Sequence, residues 1–264
     1  MMHTRRFSPL VLRALFVSAM ASAATGCSMA NTESFTFQAE VPENFVVDGT
    51  AYYIPAPGET CKAPSGEERK GPGRKVFKTE QPKTAHLVDF KVPLTDTGHG
   101  CSMVLKSLEL GIEGQWGKRD LDMSLESAGI SISDDPSESP SPLPSSAPLV
   151  FQGQCQWLFR TVGSKRFIRK ILQCRALDAN GVMQKNLIGT TVQRTQLAGR
   201  TVKLVLSVAE KEQPYFGRSW LETSKGWKPC IETKETFRCQ SPPIFTDFKM
   251  PDGRDCTVYP NCTE

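Results

Sequence analysis

Apolar and polar residues alternate with a period of two along most of the chain, the signature of half-buried strands rather than helices. Ser34 to Val41 (SFTFQAEV) reads as a first strand, and Phe45 to Ile54 as a second with Asp48-Gly49 as a turn inside it. His86 to Leu94 sets Val88, Phe90, Val92 and Leu94 on one face, and Thr95 to Gly100 follows as a turn. Cys101 then opens the longest strand of the first half. Val104, Leu108, Leu110, Ile112 and Trp116 share one parity there, interrupted by Lys106, and Trp116 reads as an edge-of-core residue. Ala128 to Ser133 is a further short strand.

The second half begins more regularly. From Leu149 to Thr161, the residues Leu149, Phe151, Gly153, Cys155, Trp157 and Phe159 take one parity, while Gln152, Gln154, Gln156 and Arg160 take the other. A turn at Val162-Gly163-Ser164-Lys165 returns the chain along Phe167 to Leu177. Such a hairpin pairs residues whose numbers sum to 329, and this sets Cys155 opposite Cys174 at a separation that a disulfide can span. Asp178 to Gly181 is a turn, Thr191 to Ala198 one or two helical turns closed by Gly199, and Arg200 to Ala209 a strong strand. After Glu210 the periodicity fades into a Pro-rich tail. The expected fold is mainly β, with antiparallel, sandwich-like sheets braced by disulfides and few short helices.

Two stretches break the alternation by composition. Pro55 to Gly73 is rich in Pro, Gly and charge, and with Arg69, Lys70, Arg74, Lys75 and Lys78 it reads as a solvated basic loop. Residues 134–148 (DDPSESPSPLPSSAP) hold five Pro and five Ser, too little apolar surface for a core. They join two candidate halves, 35–133 and 149–264, of one β-rich binding region.

The N-terminus is of another kind. Arg5, Arg6 and Arg13 flank or precede a short apolar run, Ala14 to Ala21, followed by small residues up to Gly26-Cys27. This is the layout of a secretory signal peptide, and the run is too short for a bilayer core needing ~20 residues. Thr25-Gly26-Cys27 is similar to the lipobox of bacterial lipoproteins, although Ala24 stands in place of its usual Leu. The similarity implies cleavage before Cys27 and lipidation of that residue, with 1–27 as signal and 28–34 as tether. Ser28, rather than Asp, after the Cys is similar to lipoproteins sorted to the outer membrane.

This segment changes the picture of both charge and cysteine. The chain carries a net +4, but the signal takes three of its 32 basic residues and no acid, leaving 29 against 28 and a net +1. Overall charge therefore gives no support to a nucleic-acid partner. Nine cysteines are awkward in an exported chain. With Cys27 lipidated, eight remain: Cys61, Cys101, Cys155, Cys174, Cys230, Cys239, Cys256 and Cys262. An oxidising compartment lets all eight pair. Four lie in the last 35 residues, so Cys230–Cys239 and Cys256–Cys262 are the simplest local bridges.

Catalytic chemistry finds little footing. Outside the signal the only histidines are His86 and His99, and no Gly-x-Ser-x-Gly elbow, His-Glu-x-x-His or Cys-x-x-Cys occurs. His99 and Cys101 are separated by Gly100, and a bridged Cys101 offers no thiolate. Asp120/Asp122 and Asp134/Asp135 read as solvated acids. Gly111, Gly114 and Gly117 match neither a Rossmann nor a P-loop fingerprint and read as strand twist and bulging. No cofactor and no metal site is expected, and the chain is not expected to be an enzyme.

Several stretches together carry a resemblance: Glu59-Thr60-Cys61; Phe90-Lys91-Val92-Pro93-Leu94 with Gly100-Cys101 and Leu105; Phe151 to Gly163 (FQGQCQWLFRTVG); and Met250-Pro251-Asp252-Gly253-Arg254 running through Cys256 to Cys262 and Glu264. They resemble a group of proteobacterial lipoproteins that act as immunity proteins to type VI secretion lipase effectors. The resemblance implies a periplasmic, lipid-anchored inhibitor whose partners are a cognate lipase toxin and, through Cys27, the membrane. It maps no contact residues, and the exposed loops Cys61 to Lys78 and Asp134 to Pro148 are the first places to look. The competing reading is a structural or assembly lipoprotein of the envelope that binds another periplasmic protein or a cell-wall polymer.

Overall fold

The computed structural model describes residues 33–61, 73–98, 101–135, 137 and 147–263. Cys27 and the rest of the signal and tether up to 32 lie outside the described residues, as do 62–72, His99, Gly100 and most of 136–146.

From residue 33 onward the described residues form one compact unit, built as two stacked sheets and a small hairpin. The strands are β1 (Ser34–Val41), β2 (Phe45–Pro55), β3 (Gly73–Phe77), β4 (His86–Pro93), β5 (Thr95–Gly98), β6 (Cys101–Gln115), β7 (Met123–Ser133), β8 (Leu149–Val162), β9 (Phe167–Ala176) and β10 (Ile188–Gln193). They continue with β11 (Thr201–Val208), β12 (Gln213–Pro214), β13 (Trp220–Thr223), β14 (Gly226–Pro229), β15 (Phe248–Lys249) and β16 (Asp255–Cys256). The first sheet has the order β16-β15-β9-β8-β11-β1-β4, with β12 also pairing β8. The second runs β10-β7-β6-β2-β3, with β5 pairing β6, and β13 pairs β14 apart from both.

The fold is mainly β, sandwich-like and disulfide-braced. The expectation of antiparallel sheets needs one correction, because both sheets are mixed. Strands joined by short turns, such as β8 and β9 or β6 and β7, pair antiparallel. The pairs β1–β11, β8–β11 and β7–β10 are parallel. Tight turns force antiparallel neighbours, whereas strands brought together from distant parts of the chain are under no such constraint. Two of these parallel joints, β1–β11 and β7–β10, link residues before 134 to residues after 148, so each sheet draws on both halves of the chain.

The inward faces of the two sheets make one core. Phe35, Phe37, Phe90, Val202 and Leu204 from the first meet Val47, Leu108, Leu110, Ile112 and Ile130 from the second. Alternation within each strand supplies this inner face, and the opposite parity is wet. Gly153 of β8 faces Ile188 of β10 so closely that a Cβ there would overlap the isoleucine's Cδ1. Likewise a Cβ on Gly114 would lie 2.9 Å from Trp157 and 3.0 Å from Phe45, so these glycines make room for packing across the layers.

Several local expectations change. β2 is continuous through Asp48-Gly49, with no turn there. Thr95–Gly98 is a strand paired to β6 rather than a turn. The inward parity of β6 switches at Lys106: Met103 and Leu105 are buried before it, Leu108, Leu110 and Ile112 after it. The register against β2 slips at the same place, where Tyr52 meets Ser107 and Tyr53 meets Leu105. A β-bulge thus inserts Lys106, and Val104 turns away from the core. The bulge expected of Gly111, Gly114 and Gly117 is at Lys106 instead. Thr191–Gln193 belongs to β10, and the helical turn shrinks to a single 3-10 turn at Arg194–Gln196 before Gly199 at φ 69°.

Four disulfides brace the frame: Cys61–Cys101, Cys155–Cys174, Cys230–Cys239 and Cys256–Cys262. Cys155 and Cys174 are directly opposite in the β8–β9 register. The last two bridges lie in the tail, where regular pairing is sparse and covalent closure takes over part of what a larger core would do.

Candidate binding surface

The tail beyond Glu210 folds over the far end of the β8–β9 hairpin. The inward row of β8 does not stop at Trp157 in the main core but continues to Phe159, which is fully buried in a second apolar cluster with Ile168, Trp220, Phe248, Tyr259 and the Cys256–Cys262 bridge. Phe159 packs on Tyr259 at 4.1 Å and meets Trp220 edge-on at 4.9 Å between ring centroids. The tail is joined to itself across this cluster, with Trp227 and Tyr259 exchanging backbone hydrogen bonds of 2.8 and 2.9 Å.

A polar network closes this second cluster on one side. Lys170, paired with Phe159 across the hairpin, donates to Glu212 at 2.5 Å. The Tyr259 hydroxyl donates to the other oxygen of Glu212. The Lys170 ammonium also lies 5.9 Å from the Trp116 ring and 6.0 Å from the Tyr259 ring, within reach of both π faces. Burial, then the negative charge of Glu212, pushes the Tyr259 phenol above the usual tyrosine range, so it stays a hydrogen-bond donor. The three side chains satisfy one another in a half-buried setting.

Two concavities flank this region. One, of about 480 Å³, is lined by Trp116, Arg119, Asp122, Ile168, Lys170 and Met250, among others. At its edge Asp122 is buried and accepts hydrogen bonds from Arg119 at 2.6 and 2.9 Å; that guanidinium contact holds the carboxyl below the usual range despite burial. The other, of about 490 Å³, is walled by Tyr215, Phe216, Arg218, Glu232 and Phe237. Its aromatic walls are outward-facing: Tyr215 is 44% exposed, Phe216 52% and Phe237 65%. Ile244 and Phe245 in the same tail are also about half exposed, and the Cys230–Cys239 bridge fixes the backbone between them. Exposed aromatics held on a braced backbone are well suited to recognition, because little side-chain or loop freedom is left to lose on association.

The residues weighed for catalysis are dispersed. His86 contacts the Thr84 carbonyl at 2.8 Å and Gln81 at 3.1 Å, and Gln81 in turn bonds the backbone of Val47, so this histidine helps to position a chain segment. His99 lies outside the described residues. Cys101 is bridged to Cys61. Asp122 is engaged by Arg119 and Asp134 by Arg194 at 2.7 Å. Among the described residues, no group of three or more His, Cys, Asp or Glu side chains is arranged to hold a metal ion. The loops first considered for partner contact fall largely outside the described residues; of the basic run, Arg74 and Lys75 sit on the edge strand β3 and Lys78 pairs with Asp48 at 3.2 Å.

The aromatic rim was not anticipated from the sequence. Its signal is present in the pair Tyr215-Phe216, which follows Pro214 at a bend where the two rings meet edge-on at 4.7 Å and stay outside the core. Comparison with protein families, curated proteins and solved structures gives no match to this chain.

Proposed function

We propose that this chain is a periplasmic, lipid-anchored immunity protein that binds and neutralises a type VI secretion phospholipase or lipase effector. The observation that carries the reading is the rim of Tyr215, Phe216 and Phe237, exposed on a tail fixed by disulfides and by a second aromatic core. Such a rim is the composition of an association hot spot. The export signal, the lipidation motif at Cys27 and the resemblance of the chain to lipase-effector immunity lipoproteins supply the compartment and the partner class. An anchor on the periplasmic face of the outer membrane keeps the inhibitor beside the lipid that such a toxin attacks.

The test is co-expression. A candidate lipase effector is directed to the periplasm with and without the full-length protein, and growth and complex formation on gel filtration are followed. Rescue of growth with a stoichiometric complex is the expected result. Neither rescue nor complex with that lipase would reject the reading for that toxin. Cys27→Ser should abolish lipid labelling and membrane fractionation, and an unchanged distribution would refute the anchor.

A further inference from the structure

The outer face of the β8–β9 hairpin carries an unusual pair. Arg160 and Arg169 are directly opposite in the antiparallel register, which sets their Cβ atoms ~5 Å apart on one face. Like charges facing each other across two strands repel, and proteins ordinarily separate them or place an acid between them. Here neither is given an acid. Neither guanidinium forms an ion pair among the described residues, and the Arg160 Nε–H is buried with no hydrogen-bond partner. The acid whose charge Arg169 feels, Asp122, is already held by Arg119. Arg160 is further fixed in place by stacking, with its guanidinium carbon 5.5 Å from the centre of the Tyr215 ring. Tyr215 opens directly onto the aromatic rim, so Arg160 is continuous with the rim, and Arg169 lies beside it across the hairpin.

We propose that this face docks an acidic protein segment, with one of its carboxylates held between Arg160 and Arg169 and its apolar neighbours laid against Tyr215, Phe216 and Phe237. A planar guanidinium pair offers several N–H donors in fixed directions and matches the two oxygens of a carboxylate. Occupation would give the Arg160 guanidinium an anionic partner and cancel the repulsion across the hairpin. Glu232 on the wall of the neighbouring cavity favours a protein over an anionic membrane: a bilayer surface would repel it uniformly, whereas a protein can place a cation against it. This inference deepens the proposed binding role by assigning it a surface and a chemistry.

Two measurements test it separately from that role. The first follows the arginine Nε–Hε resonances of the full chain in detergent while acetate, acetamide, inorganic phosphate or phosphatidylglycerol vesicles are added. Acetate is expected to move the Arg160 and Arg169 signals together and saturably, and acetamide to leave them in place. Arg169→Gln, an exposed change, should weaken the acetate effect at Arg160 by about tenfold or more. No acetate response, an unchanged response in Arg169→Gln, tighter binding of phosphate than of acetate, or a response to vesicles alone would overturn the carboxylate assignment. The second compares complex formation by the candidate lipase with the native chain and with Arg160→Gln/Arg169→Gln. A native complex that persists undiminished in the double variant overturns this inference and leaves the immunity reading standing. An acetate response at both arginines without any lipase complex supports the site and rejects that toxin as its occupant.

Discussion

Phe159→Ala tests the joint on which the tail depends. The ring is fully buried, packs on Tyr259 at 4.1 Å and Trp220 at 4.9 Å, and reaches Trp227 at 6.4 Å. Removing a phenyl ring from such a site costs ~3–5 kcal/mol through lost burial and the cavity left behind. Since each 1.4 kcal/mol is tenfold, the population of states with the tail opened should rise by about two to three and a half powers of ten. Phe159 belongs to the second cluster and not to the sandwich core around Leu108 and Leu204. The loss should therefore be regional. Native-state hydrogen exchange measures this residue by residue. The Trp227 and Tyr259 amides, which bond each other's carbonyls, should exchange much faster. The amides of Leu108 and Leu204 should keep their protection. A uniform loss through both clusters would show that the tail is not a separable cooperative unit, and an unchanged tail would refute the packing argument itself.

Three further outcomes follow from other parts of the molecule. Replacing both Cys155 and Cys174 by Ala removes a bridge of sequence separation 19 between two fully buried residues, and should lower unfolding stability by ~3 kcal/mol in denaturant titration. Gly153→Val places a branched side chain against Ile188 of the facing sheet and should cost ~1–3 kcal/mol, read as a lower melting temperature; Gly163→Ala, with no atom near its Cβ position but φ at 70°, separates backbone strain from overpacking. Burial, with the Asp96 charge second, pushes the Tyr53 phenol up to about 12, while an unfolded tyrosine ionises near 10. Its contribution is thus fully present below pH 10 and is lost as pH rises towards 12, because the folded chain holds the proton that the unfolded chain releases. Tyr53→Phe should flatten the fall in stability over that alkaline window, and an unchanged slope in urea titrations would contradict the assignment.

What could be read from the sequence was local pairing. Where a strand alternates cleanly and a short turn follows, the register is determined by counting, which is why β8 and β9 bring Cys155 to Cys174. The strand through Val104 defeats the same counting because one inserted residue, Lys106, reverses the parity of all that precedes it. The parallel joints β1–β11 and β7–β10 were not legible either: no turn links them, and a run of alternating residues carries no label for its non-local neighbour. The tail was the least legible part. Its strands have two to four residues, too short for a period to register, and its order comes from rings converging on Phe159 and from two bridges. The candidate surface is made of this tail together with the outer row of the hairpin, so it was hidden for the same reason. Only the polar parity of Arg160 and the adjacent Tyr215 and Phe216 hinted at it.

The strand registers also give the proposed surface a direction. Phe37 of β1 is level with Val202 of β11, and Val202 with Leu149 of β8. The described chain therefore enters the first sheet beside the beginning of β8. Arg160 lies eleven residues further along that strand, about 36 Å at the rise of an extended chain. The point of entry and the arginine–aromatic face thus occupy opposite ends of β8. In the proposed reading Cys27 precedes β1 in the chain, and the arginine–aromatic face lies at the end of β8 away from the side on which the described chain enters the sheet. The binding face then belongs to the folded unit that begins with β1 at Ser34, and lengthening the tether ahead of it leaves that face intact. Insertion of a flexible Gly-Ser segment into that tether is expected to leave protection against the toxin unchanged in the co-expression assay, since the binding face gains freedom without losing access. Loss of protection on insertion, with membrane attachment and complex formation in solution both retained, would mean that the distance from the anchor decides protection, and the argument that the binding face alone decides it would be wrong.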